Sequence, residues 1–204
     1  MSNKLFIIAL VFILIIAFGC AGTAGKKFNR LREDKIQLGI TTYKDILRIM
    51  GEPYKEEVFA KNDYEFKQAI YSFSSTGGKS TSKRVTAARV QSFYFHEDIL
   101  VGHLFISNWE DDHTDFDETK IKLVKKEENT KADVIKLFGN PSGNYIYPFA
   151  DNKGKEIIVY WYTEHRHYAY AAKNYRKRLY VEYDREGIVT DINYYEYGGK
   201  QKSP

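Results

Sequence analysis

The sequence predicts an α+β fold: two tandem modules, each a helix followed by a four-stranded antiparallel sheet, with the helices packed on one sheet face. Three observations carry that prediction. One stretch of the chain recurs at a fixed offset, each copy opens with a short amphipathic helix, and each continues in runs of β-branched and aromatic residues.

The repeat comes first. Thr42-Tyr-Lys-Asp-Ile-Leu-Arg-Ile-Met-Gly-Glu-Pro53 aligns with Thr130-Lys-Ala-Asp-Val-Ile-Lys-Leu-Phe-Gly-Asn-Pro141 at an offset of 88 residues. The same offset pairs Phe73 with Trp161, Phe93 with Val181, Phe95 with Tyr183, Leu100 with Ile188 and Leu104 with Ile192. Persistence of one spacing over this length predicts two copies of one unit.

Each unit begins with a helix. Thr42 and Thr130 suit the N-cap, where the side-chain oxygen accepts from a free backbone N–H. Ile46, Leu47, Ile49 and Met50 form one apolar face, and Val134, Ile135, Leu137 and Phe138 form the other. Gly51 and Gly139 suit a left-handed C-terminal position, and Pro53 and Pro141 prevent continuation. A weaker helical pattern spans 26–35.

Strands are predicted at 55–60, 64–74, 89–96 and 99–107, with counterparts at 144–149, 155–163, 177–184 and 187–197. Short breaks at 96–98 and 184–187 read as hairpin turns, and the longer connections 76–88 and 164–176 as basic loops. The resulting domain plan is an export signal at 1–19, a tether with a candidate first helix at 20–35 and a first module at 36–109. An acidic linker follows at 110–120, then a second module at 121–197 and a tail at 198–204.

The N-terminus carries chemistry of its own. Lys4 precedes an unbroken apolar run from Leu5 to Phe18, and small residues then surround Cys20, the chain's one cysteine. A charged start, an apolar stretch and small residues at the cut describe an export signal. Ala17-Phe18-Gly19-Cys20 resembles the bacterial lipobox, which implies lipid attachment at Cys20. The competing reading is an uncleaved anchor, because an apolar segment from Leu5 to about Gly25 approaches the ~20 residues that span a bilayer. Both readings place the rest of the chain outside the cytoplasm and tethered to a membrane. In the lipoprotein pathway that this box resembles, an aspartate after the cysteine retains a protein at the inner membrane. Ala21 stands there, so the periplasmic face of the outer membrane is expected in a Gram-negative cell.

With no cysteine after Cys20, a hydrophobic core and not disulfides must hold the exported part. Lys and Arg total 31 against 27 Asp and Glu, a net +4 that becomes +3 once the segment carrying Lys4 is removed. That balance suits proximity to anionic lipid and lies far from a nucleic-acid footprint.

Strand alternation sorts side chains onto two faces. One, expected to pack on the helices, carries Tyr71, Phe73, Phe93, Phe95, Leu100 and Leu104, then Ile157, Val159, Trp161, Leu179, Val181 and Tyr183. The other carries Val101, His103, Ile158 and an unusual number of aromatic residues for a solvated face. Tyr94, Phe105, Tyr160, Tyr162, Tyr180 and Tyr195 are therefore read as a partner-binding surface, since tyrosine joins large contact area to a polar tip. Packing between the modules, or cross-strand aromatic pairing, is the competing reading.

At this point a resemblance applies. The stretch Gly39-Ile-Thr-Thr-Tyr-Lys-Asp-Ile-Leu-Arg-Ile-Met-Gly-Glu-Pro53 resembles the signature of the SmpA/OmlA (BamE-type) outer-membrane lipoproteins. Two such units in one chain resemble the tandem beta-lactamase-inhibitor-protein-like fold. The resemblance implies a role in outer-membrane assembly or maintenance.

Other motifs fall short of chemistry. Gly77-Gly78-Lys79-Ser80-Thr81 lacks the earlier glycine and the strand–loop–helix setting of a phosphate loop. His165 and His167 offer two metal nitrogens without a third ligand at a telling spacing. The acidic run from Glu110 to Glu118 lacks the glycine of a calcium loop and reads as a solvated linker. No nucleophile elbow or paired catalytic carboxylates stand out, so no metal, no cofactor and no catalytic residue is expected. The sequence points to a non-catalytic envelope lipoprotein that binds a protein partner. The alternative is an inhibitor or ligand-binding lipoprotein that engages an envelope enzyme or cell-wall fragment through its sheet.

Overall fold

The computed structural model describes residues 22–168 and 171–198. The apolar run, Cys20 and most of the C-terminal tail lie outside them. The chain is mixed α+β, dominated by one antiparallel sheet of nine strands.

The strands are β1 (Thr23–Gly25), β2 (Lys55–Lys61), β3 (Tyr64–Ser75), β4 (Ala87–His96), β5 (Ile99–Ser107), β6 (Gly143–Ile146), β7 (Glu156–Tyr168), β8 (Ala171–Tyr183) and β9 (Val189–Tyr197). Their order is β1-β3-β4-β5-β6-β7-β8-β9, and β2 also pairs with β3, further along the edge that β1 occupies. Two helices, α1 (Tyr43–Met50) and α2 (Lys131–Phe138), pack on the sheet.

Both helices form for the reason their sequences suggest. The Thr42 hydroxyl accepts from the Asp45 amide while the Asp45 carboxylate accepts from the Thr42 amide, and Thr130 and Asp133 repeat the exchange. These reciprocal bonds satisfy donors that a helix start otherwise leaves free. Gly51 (φ 73°) and Gly139 (φ 81°) end the helices in backbone conformations that favour glycine. Ile46 and Val134 are fully buried beneath them, each contributing about 1.5–3 kcal/mol of apolar burial.

The segment around 26–35 holds only a single 3-10 turn, Glu33–Lys35, where a helix was expected. The rest has no regular secondary structure and is gripped by Gln91. Its side chain accepts from the Leu31 amide and donates to the Leu31 carbonyl, both at 2.8 Å. Leu31 is thereby pressed into the core beside Ile46, Tyr71 and Phe93.

Four further expectations are corrected. In place of two separate four-stranded sheets there is one, because β6 pairs with β5 as well as β7. The seam needs glycine: a Cβ on Gly143 would lie 2.2 Å from the His103 carbonyl oxygen. The connection 164–176 is not a loop, since β7 and β8 stay paired from Glu156↔Tyr183 to Tyr168↔Ala171.

The acidic linker is solvated only in part: Glu110, Asp111, His113 and Asp117 are exposed, whereas Phe116 is buried. Lys177, with a side chain 1% exposed, lies 2.6 Å from Asp115 and 2.5 Å from Glu118, with its ammonium over the Phe116 ring. Phe116 joins the core under α2, and Thr114 donates to the Trp161 carbonyl at 2.7 Å. A buried ammonium needs such pairing to offset its desolvation.

The fourth correction concerns faces. Tyr71 donates to the Gly51 carbonyl at 2.7 Å, and Tyr160 donates to the Gly139 carbonyl at 2.9 Å. Tyr71 thus corresponds to Tyr160, an offset of 89 and not 88. One extra residue before β7 turns all its side chains over, because side chains alternate with a period of two. Ile158, Tyr160 and Tyr162 face the helices, and Ile157, Val159 and Trp161 face away. In β5 a bulge opposite Tyr94 and Phe95 has the same effect beyond Val101. Leu104 faces away from the helices, while His103 and Phe105 lie on their side, paired with Phe93 and Gln91.

Candidate functional site

The six residues read from sequence as a binding surface do not form one. Tyr160, Tyr162 and Phe105 are at most 2% exposed. Beyond its bond to Gly139, Tyr160 packs against Phe116 and Phe138. The Tyr162 hydroxyl bonds Thr81 at 2.5 Å and donates to Glu164 at 2.7 Å, and Phe105 lies under the Arg30 guanidinium at 4.5 Å. These three are core residues on the helix side.

Tyr94, Tyr180 and Tyr195 do share the opposite face, which divides into a covered half and an open half. Over the covered half, residues following β6 bring the Phe149 ring to 4.4 Å from Tyr94, 4.8 Å from Tyr145 and 5.3 Å from Phe66. Lys61 holds that segment down by donating to the Phe149 carbonyl at 2.5 Å and pairing with Asp151 at 2.7 Å. Burial here pushes the Tyr94 phenol up to about 12, so it stays neutral at ordinary pH.

The open half is built by β7, β8 and β9. Their register sets Trp161 opposite Arg178, and Arg178 opposite Tyr195, in one row across three strands. The next row sets Thr163, Arg176 and Tyr197 side by side. The Arg178 guanidinium stands 4.8 Å from the Trp161 ring centre, and that of Arg176 stands 5.4 Å from Tyr197. Tyr195 is 54% exposed and Tyr197 63%, with Tyr180 at 6.2 Å from Tyr195.

Charge on this half is one-sided. Glu182, toward one end of β8, is matched by Lys155 at 3.3 Å, and Asp191 bonds Lys126. Among the described residues neither Arg176 nor Arg178 has a carboxylate within ion-pair distance. Two guanidinium groups standing over aromatic rings, with no carboxylate paired to them, are suited to meet carboxylates or other planar acceptors. The sequence reading missed Trp161, Arg176, Arg178 and Tyr197. The one-residue error in β7 puts Trp161 in the core, Arg176 falls at the end of the expected loop 164–176, and Arg178 lies in the expected strand 177–184 without being singled out.

A second polar cluster lies where residues 80–86 meet the β7–β8 hairpin. Glu164, 1% exposed, accepts from Ser82 and Tyr162 at 2.7 Å and from Arg166 at 2.6 Å. Burial raises its carboxyl, but Arg166, Tyr162 and Ser82 outweigh burial and hold it below the ordinary glutamate value. His165 and His167 have ring centres 4.7 Å apart, and each bonds elsewhere, to Asn174 and Thr86. Among the described residues no group of three or more metal-ligating side chains gathers.

A third cluster sits on the helix side of the β5–β6 seam. Glu156 pairs with Lys131 at 2.5 Å and accepts from Asn144. Burial lowers the His103 imidazole to about 4, leaving it neutral, and raises the Glu33 carboxyl despite nearby Arg30. No sequence spacing announced this convergence of Glu33, His103 and Glu156. Lys131 already pairs with Glu156, so the cluster reads as a polar junction between α2 and the seam, although the buried Asn144 Oδ1 has no hydrogen-bond partner among the described residues.

Among the described residues no helix is long and apolar enough to cross a membrane. No protein-family model, no curated protein and no solved structure matches the chain.

Proposed function

We propose that this chain is an exported lipoprotein, anchored through lipid on Cys20, that serves as a non-catalytic interaction module for an envelope protein. The single observation carrying the binding role is the open row Trp161–Arg178–Tyr195, extended by Arg176 and Tyr197. Tryptophan, tyrosine and arginine dominate the energetics of protein interfaces, and here all three stand together on one face of the sheet. Unpaired guanidinium edges favour a partner surface bearing carboxylates.

The architecture is read as two fused copies of one helix-and-sheet unit. The twin capping boxes support this, as do the twin bonds from Tyr71 and Tyr160 to the glycine ending each helix. Bulges at Tyr94/Phe95 and Glu182/Tyr183 also occupy corresponding places. The Gly39–Pro53 stretch makes kinship with SmpA/OmlA-type lipoproteins, and a place at the outer membrane, part of the same proposal. Lipid anchoring would raise the local concentration of the module near a partner in the same membrane.

The test has two parts. Metabolic labelling with a fatty acid should mark the wild-type chain and not Cys20→Ser. Replacing Arg178 and Tyr195 together by alanine should leave the unfolding midpoint unchanged and reduce co-purification of the envelope partner at least tenfold. Undiminished co-purification from the double variant would remove the binding role from this face.

A further inference from the structure

The sheet has two edges, and they are unlike. At one, β2 shares β3 with β1 and carries Lys55, Glu56, Glu57 and Lys61 among its seven residues. Charges along an edge, lysine above all, discourage another strand from pairing. At the other edge, β9 pairs with β8 alone. Its start is covered, because Val189 donates to the Asn129 carbonyl and accepts from the Glu127 amide, both at 2.9 Å. Beyond Val189 no described backbone pairs with the outer side of β9.

That outer side is poorly guarded. The stretch Asp191-Ile-Asn-Tyr-Tyr-Glu-Tyr197 holds no lysine, arginine or proline, and the bulge at Glu182/Tyr183 lies at the covered end. Its two acids are engaged within the protein. Asp191 bonds Lys126 and Asn193, and Glu196 accepts from the Tyr194 hydroxyl at 3.0 Å. Seven extended residues make a template about 23 Å long, along which every second residue points its N–H and C=O outward.

The two faces beside this edge differ in chemistry. Ile192 and Tyr194 lie on the helix side, packed against the core under α2. On the open side, Asn193, Tyr195 and Tyr197 stand in rows with Tyr180, Arg178 and Arg176. The Arg176 guanidinium leans toward the edge, to 5.4 Å from the ring centre of Tyr197 on β9 itself. A further strand would run about 4.8 Å beyond β9, which puts its acidic side chains within reach of Arg176.

We propose that β9 accepts an extended segment of the partner as an added strand. Carboxylates at every second position of that segment face Arg176 and Arg178, and apolar side chains on its other face lie beside Ile192 and Tyr194. The inference rests on the binding role proposed above for the β7–β9 face and specifies how the partner attaches there. Main-chain bonds along the edge supply affinity, and the alternating side chains supply selection.

The probe is a peptide of alternating glutamate and valine, about seven residues long to match the free edge. It is added at up to millimolar concentration to the full chain in detergent micelles, and hydrogen exchange is read amide by amide by NMR. Exchange should slow about tenfold or more at every second amide from Asp191 to Tyr197, since only alternate amides face outward. A counterpart peptide N-methylated at every amide keeps the carboxylates and should protect nothing. Arg176→Ala, at an unchanged unfolding midpoint, should weaken the peptide about fivefold. No slowing, equal slowing by the N-methylated peptide, or binding untouched by Arg176→Ala would overturn the proposal. Alternate protection already present without peptide would assign the edge to the C-terminal tail or a second copy, and overturn it equally. Co-purification that depends on Arg178 and Tyr195, while the peptide leaves β9 unprotected, refutes the added strand alone. Co-purification independent of them refutes the face, and the strand with it.

Discussion

Tyr160 and Tyr195 lie in neighbouring parts of the same sheet, and the sequence offers little reason to treat them differently. The structure separates them sharply. Tyr160 is 2% exposed, packed on Phe116 and Phe138, with its hydroxyl donated to the Gly139 carbonyl at 2.9 Å. Tyr195 is 54% exposed. Tyr160→Phe removes one hydrogen bond and should cost about 1 kcal/mol. Tyr160→Ala also removes a buried ring and leaves a cavity, for a loss of about 3–5 kcal/mol. Tyr195→Ala should remain within about 0.5 kcal/mol of wild type. Urea denaturation followed by circular dichroism measures all three, with a constant slope showing that only stability has changed. Equal losses for the two alanine variants would refute the one-residue offset in β7, and with it the identity of the open face.

Three other perturbations follow from the same packing. Thr42→Ala and Thr130→Ala each break a capping box and should cost about 1 kcal/mol in urea denaturation, additively, since they cap different helices. Gly143→Ala forces a methyl against the His103 carbonyl at the seam. A loss of about 1–3 kcal/mol is expected, with faster hydrogen exchange at the Leu104 and Phe105 amides. The lowered Glu164 carboxyl predicts a pH effect of defined sign. Its contribution is fully present above the unfolded glutamate value of about 4.3 and is lost as pH falls toward the lower folded value. Glu164→Gln should therefore flatten the acid limb of the stability curve, and a limb as steep as wild type would contradict the assignment.

How much of this was legible depended on whether a signal was local. Thr42 and Thr130 announced their caps because a cap is decided within four residues, and Gly51 and Gly139 announced the helix ends for the same reason. The faces of β7 were not legible. Ile157-Ile158-Val159-Tyr160-Trp161-Tyr162 has no polar member to mark an outward position, so alternation leaves both registers open. The usable clue was a spacing: Tyr71 lies 20 residues beyond Gly51, whereas Tyr160 lies 21 beyond Gly139. Fusion into one sheet depended on β5 and β6 meeting across a long separation, which local pattern does not encode. The basic stretch 164–176 looked like a loop because strands are expected to be apolar. Here Arg176 stands over the Tyr197 ring, and in the strand that continues from it Arg178 stands over Trp161 while Lys177 alternates inward to meet Asp115 and Glu118.

The central claim, that the β7–β9 face binds an envelope protein, is tested most directly by photo-crosslinking in living cells. A photoreactive residue would be placed at Tyr195 and, as a control, at Tyr54, which is 59% exposed. One dominant protein adduct from position 195, lost when Arg178 is changed to alanine and absent from position 54, is the predicted result. The same adducts from both positions, or none from position 195, would contradict the claim.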